Sequence, residues 1–140
     1  MSDEIILNKV AIIERCVQRI KEEYGGNRES LSNYTKQDSI VLNIQRACEA
    51  SIDLAMHIVA SKKLGVPQIS REAFELLKEN GVIGVELANR LKAMVGFRNI
   101  AVHDYQKINL SILEKIVELH IDDFNTFSST ILIYYRSEEK

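Results

Sequence analysis

The run Arg98-Asn99-Ile100-Ala101-Val102-His103-Asp104-Tyr105 gathers a guanidinium, an imidazole, a carboxylate and a phenol into one short stretch. An imidazole exchanges protons near neutral pH, so His103 suits general acid–base work. A guanidinium holds and neutralises phosphate oxygens, so Arg98 suits the steadying of a phosphoryl group. Together the two could run acid–base chemistry at a phosphate ester, the imidazole moving protons and the guanidinium offsetting the charge that builds on phosphorus. No step of the scheme calls for a metal, and no cofactor is expected. Asn99 and Asp104 flank the pair as supporting residues. A plainer reading stays open beside this one, in which Arg98 pairs with Asp104 or a helix carboxyl terminus and His103 caps the helix.

A second group lies on the stripe Arg46, Glu49, Asp53 and His57, whose members fall within ~60° of each other on a helix. Glu49 and Asp53 are like charges four apart, mildly unfavourable together unless a cation lies nearby. Either this is a solvated face, or one carboxylate orients Arg98 or His103 from a neighbouring helix. His120 sits on an apolar stripe and reads as a core or interface histidine. His57, His103 and His120 are not at metal-ligand spacing, and HExxH, CxxC, Walker, GxGxxG and GxSxG patterns are absent. Asn80-Gly81-Val82-Ile83-Gly84 reads as a turn between helices.

Helices must position these groups. Apolar residues recur three and four apart over long stretches, glycine is sparse, and Pro67 is the single proline. The first helix is expected from about Glu4 to Tyr24, with Ile6, Val10, Ile13, Val17, Ile20 and Tyr24 inward and Gly25 and Gly26 ending it. A second runs from about Lys36 to Lys63, stopped by Gly65 and Pro67. Ser70 caps a short third, which ends near Asn80 and Gly81. A fourth starts near Gly84 and turns Leu87, Leu91, Met94, Val95 and Ile100 to the core. A fifth, capped by Asn109, presents Leu113, Val117, His120, Phe124, Phe127, Ile131 and Tyr134 as one stripe. Four long helices and one short one make an all-α, antiparallel up-and-down bundle.

The fourth helix poses a geometric test. At ~100° per residue, Arg98 and Tyr105 share nearly one face, whereas His103 lies ~140° from Arg98. Convergence requires the helix to end near His103, or a second subunit to complete the site. Asp104 and the lack of apolar periodicity through Lys107 fit an ending there.

The 140 residues suffice for one domain, 1–140, with its own core and no need of disulfides. At 46% apolar and 27% charged, the composition is globular, and no apolar run approaches the ~20 residues of a membrane span. Asp3 and Glu4 stand where a secretory signal would be basic. Cys16 and Cys48 read as buried thiols of a reducing compartment, so a cytoplasmic location is expected. A net charge of −2 excludes the broadly basic surface of a non-specific nucleic-acid binder, so any RNA contact must be local.

Arg98, four residues, His103, one residue and Tyr105 together resemble the R-x4-H-x-Y signature of the HepT-like toxins in the HEPN superfamily. The resemblance extends over almost the whole chain, through the helix pattern, Gln45-Arg46-Ala47-Cys48-Glu49-Ala50 and Lys92-Ala93-Met94-Val95-Gly96-Phe97-Arg98-Asn99. It implies a HEPN-like bundle acting as the endoribonuclease toxin of a type VII toxin–antitoxin pair, independent of metal, with Arg98 and His103 catalytic. It implies a homodimer whose two motifs face a shared cleft, and an acidic residue of the second helix, Glu49 or Asp53, supporting the site. It also implies an MntA-type minimal nucleotidyltransferase antitoxin that uses ATP to place AMP on Tyr105. The paired aspartates and Gly-Ser start of such a nucleotidyltransferase are missing here, which makes this the toxin of the pair. The competing function is a non-catalytic helical adaptor that binds a nucleotidyltransferase or a nucleotide, since fold does not fix function.

Overall fold

All six residues of the expected first stripe, from Ile6 to Tyr24, are buried along one helix, which packs mainly against the second helix and the last. The computed structural model describes residues 2–138. Among them run α1 (Ser2–Tyr24), α2 (Tyr34–Ser61), α3 (Ser70–Glu79), α4 (Val85–His103), α5 (Leu110–Lys115) and α6 (Asp122–Glu138). Single 3-10 turns lie at Arg28–Ser32 and Tyr105–Lys107, and a π-helical turn at Ile116–His120 joins α5 to α6. The fold is the expected helical bundle. No helix among the described residues is long and apolar enough to cross a membrane.

Gly25 and Gly26 end α1 with φ of 58° and 70°, the left-handed region that glycine enters freely. The Asn33 side chain accepts the Lys36 N–H and starts α2 two residues earlier than periodicity suggests. α2 is the central element, packed against α1, α3, α4 and α6. That is why its buried set, including Ile40, Ile44, Ala47, Cys48, Leu54 and Ile58, covers far more than one stripe. Cys16 and Cys48 are free, buried thiols, as expected.

Three expectations need correction. Ser70 is not a cap: it is the first residue of α3, and the Glu72 carboxylate instead reaches back to accept the Gln68 N–H at 2.5 Å. Ile100 is not a core residue but 45% exposed. It lies ~180° around α4 from Leu91, while Phe97 and Ala101 fill the inward positions at that end. The fifth helix is not continuous. Asn109 caps it as expected, accepting the Ser111 and Ile112 N–H groups at 2.8 and 3.2 Å. The π turn then widens one turn of the spiral, and Leu113, Val117, Phe124, Phe127 and Ile131 all stay inside. The Tyr24 hydroxyl donates to Glu118 in that turn, tying it to the end of α1.

Candidate active site

α4 stops at His103 because Asp104 leaves helical geometry, at φ −156° and ψ 67°, while its N–H still reaches the Ile100 carbonyl at 2.8 Å. Tyr105–Lys107 then make one 3-10 turn. The helix ends close to the expected point, but it still includes His103, which therefore stays ~140° around α4 from Arg98, so one protomer does not bring the two side chains together. His103 is left exposed at the tip, in the last turn of the helix.

The antiparallel pairing of α4 with α2 sets Arg98 level with Cys48 and Tyr105 level with Asp38. Arg98 is half-buried, its guanidinium near enough to the Cys48 thiol for its charge to act on it. Burial pushes that thiol up to about 12 despite the nearby cation, so Cys48 stays neutral at physiological pH. The Arg98 Nε is buried and has no hydrogen-bond partner. Asp104 pairs with Lys107 at 3.4 Å and not with Arg98, which removes the Arg98–Asp104 ion pair from the plainer reading.

Tyr105 remains 39% exposed, and its hydroxyl donates to Asp38 Oδ1 at 2.5 Å. Burial, with the adjacent carboxylate, raises the phenol far above its ordinary value. Asp38 is the residue that sequence reasoning missed. It belongs to no motif, and only the fold brings it beside the tyrosine.

The expected supporting residues have other partners. Glu49 accepts from Gln45 Nε2 at 3.4 Å, next to Cys48 in sequence but bonded to neither Arg98 nor His103. Asp53 pairs with Lys9 of α1 at 3.0 Å. Asn99 is half-buried in α4. His57 is half-buried with its Nε2 lacking a partner, and His120 is half-buried with Nδ1 3.6 Å from Asp123. Among the described residues, no three His, Cys, Asp or Glu side chains are grouped as a metal would need.

The site thus presents an exposed proton carrier, a braced cation and a bonded phenol at one end of one helix. The family model described as Ribonuclease HepT-like matches residues 13–131. The chain is 49% identical to the mRNA nuclease HepT of Shewanella oneidensis over 129 residues, 92% of this chain and 97% of the relative. It is 29% identical to the tRNA nuclease HepT of Aphanizomenon flos-aquae over 106 residues, 75% of this chain and 72% of the relative. Its fold superposes with a TM-score of 0.88, at 49% identity, on the tri-AMPylated Shewanella oneidensis HEPN toxin in complex with MNT antitoxin, covering 92% of this chain and 97% of that one. A toxin–antitoxin crystal structure with AMP-PNP superposes at 0.89, with 48% identity over 93% of this chain and 98% of that one. The matched range includes the whole helix that ends at His103, and the chain belongs to the HepT-like ribonuclease family.

Proposed function

We propose that this chain is an RNA-cleaving toxin whose catalytic residues are Arg98 and His103, and that AMP transfer to Tyr105 silences it. The observation that carries the reading is the end of α4. It leaves His103 exposed at the helix tip, five residues past Arg98, whose guanidinium faces α2, with the motif tyrosine accessible two residues on.

His103 takes the proton of the 2′-hydroxyl, whose oxygen attacks phosphorus and forms a cyclic phosphate. Arg98 pairs with the non-bridging oxygens as charge builds, and the 5′-oxygen leaves with a proton from an imidazolium. In a homodimer with a shared cleft, the second His103 supplies that acid. The two relatives are named for different RNAs, mRNA and tRNA, so the substrate here is taken as RNA of no narrower class.

The related toxin in the solved complex is tri-AMPylated and bound to an MNT antitoxin, and a nucleotidyltransferase of that kind is the partner proposed here. The Tyr105 oxygen attacks the α-phosphorus of ATP, pyrophosphate leaves, and Asp38 is placed to receive the phenolic proton. The added phosphate would pair with Arg98 and exclude the RNA backbone by charge and volume. An RNA substrate, an ATP-using partner and buried free thiols all fit a cytoplasmic location.

The test is induction of the chain alone in growing cells, beside Arg98→Ala and His103→Ala. Wild type arrests growth and fragments RNA, both variants do neither while keeping their helical spectra, and cleavage by the purified protein persists in EDTA. Full toxicity of the His103 variant would overturn the mechanism. Harmless wild type that still binds the nucleotidyltransferase would establish the adaptor instead.

A further inference from the structure

Beyond Tyr105, Asp38 also walls a cleft of about 400 Å³ between α1 and α2 that is lined by Arg15, Arg19, Arg46 and Asn43. Three guanidinium groups share it in a chain whose net charge is −2. Arg19 is tied to Glu22 and Glu23 at 3.4 and 3.3 Å. Arg15 and Arg46 are exposed and make no ion pair among the described residues. Their fields do converge, since both pull the buried Cys16 thiol downward against the desolvation that raises it. The Asp38 carboxylate on the cleft wall accepts the Tyr105 hydroxyl, and the lining sets three guanidiniums against this one carboxylate.

The placement matters more than the charge. Arg46 stands two residues from Cys48 on the opposite flank of α2, so the cleft and Arg98 are separated by about one helix diameter, ~10 Å. The ridge between them carries exposed Leu42 and Asp38.

We propose that this cleft seats backbone phosphates of the RNA adjoining the scissile bond, which crosses the α2 ridge to reach Arg98 and His103. The proposal rests on the ribonuclease reading above. It resolves the objection from net charge, because contact is made by a local guanidinium track rather than a basic surface. An acidic face of a partner protein has the matching charge too. The planar guanidinium forks favour phosphate, which they meet with two donors at once, and the cleft opens on the same ridge as the motif.

The experiment uses the full chain carrying His103→Ala, so that RNA survives, with Arg15→Ala or Arg46→Ala added. Each is titrated with transfer RNA and, separately, with a single-stranded oligoribonucleotide. Each arginine removed weakens binding about tenfold, and the slope of log affinity against log salt becomes shallower by ~0.7 per lost contact. With His103 restored, KM rises and kcat holds, because the cleft touches no reacting atom. Arg→Lys at either position recovers part of the affinity. Unchanged affinity and salt slope would overturn the proposal while leaving wild-type cleavage intact. Wild type that neither binds nor cleaves RNA would bring down the ribonuclease reading and this inference with it. Variants that keep RNA affinity but lose the antitoxin would reassign the cleft to a protein partner.

Discussion

The Tyr105 hydroxyl donates to the Asp38 carboxylate at 2.5 Å, across 67 residues of chain, and so fastens the turn after α4 to the start of α2. Burial first, and then the same contact, raise the phenol above its ordinary value. A protonated phenol is a weak nucleophile until a base takes its proton, and Asp38 is already in place.

Asp38→Asn keeps an acceptor for the hydroxyl but removes the base. AMP transfer to Tyr105 by the partner nucleotidyltransferase should slow by about 10²-fold, read by intact mass against time. RNA cleavage should continue, since Asp38 touches neither Arg98 nor His103, with RNA binding no weaker because the arginine cleft loses its one carboxylate. An unchanged transfer rate would leave Asp38 as an anchor only.

The α1 stripe and the motif were legible in the sequence because both are local: helical spacing sets one, residue spacing the other. The stop at His103 could be inferred from Asp104 and the loss of periodicity. Asp38 could not, because its role depends on where α2 lies against the end of α4. Glu49 and Asp53 looked equally suitable on helical rotation, yet Gln45 and Lys9 hold them. The π turn is hidden for a related reason. Apolar residues continue through Ile116 and Val117 without a break, and only the packing of the two ends against one core selects the wider turn. Ile100 misled because an apolar residue in an apolar helix carries no sign of which way it faces.

Arg98 leans on Cys48, which is 1% exposed. Cys48→Ala should cost about 1 kcal/mol of stability and should lower kcat more than it changes KM, because the guanidinium loses its brace. Cys48→Ser restores a polar contact and should recover kcat. If kcat follows only the loss of thermal stability, the thiol is packing and nothing more. Arg98→Lys should not rescue activity, since an ammonium lacks the fork that spans two phosphate oxygens.

Glu75 joins α3 to α4. It accepts from Lys78 at 2.5 Å and Lys92 at 2.8 Å, and these bonds lower its carboxyl from 4.5 to about 2. Because the folded value lies below the unfolded one, the stabilisation is complete above pH 4.5 and is lost as pH falls toward 2. Glu75→Gln should flatten the acid limb of Tm against pH through that window and leave neutral-pH cleavage unaffected. A limb of unchanged steepness would show that other carboxylates govern acid unfolding.

The last prediction concerns assembly. Ile100, Val102, Leu110 and Ile112 are all 44–51% exposed around the end of α4 and the start of α5, beside the motif. Ile100 and Ile112 also line a groove of about 470 Å³ with Phe97 and Ile108. An apolar surface of this kind next to a catalytic helix end suits a two-fold interface, in which the same patch serves both subunits. The protein should therefore be a dimer by light scattering at micromolar concentration. Ile112→Glu, which places a charge in that patch without touching Arg98 or His103, should yield folded monomer. If the two motifs complete one site, that monomer loses RNA cleavage, and cleavage returns in proportion to dimer as concentration rises. A wild-type monomer would remove the shared cleft. A folded Ile112→Glu monomer with full activity would show that one protomer holds the whole site, with a single His103 serving as base and then as acid.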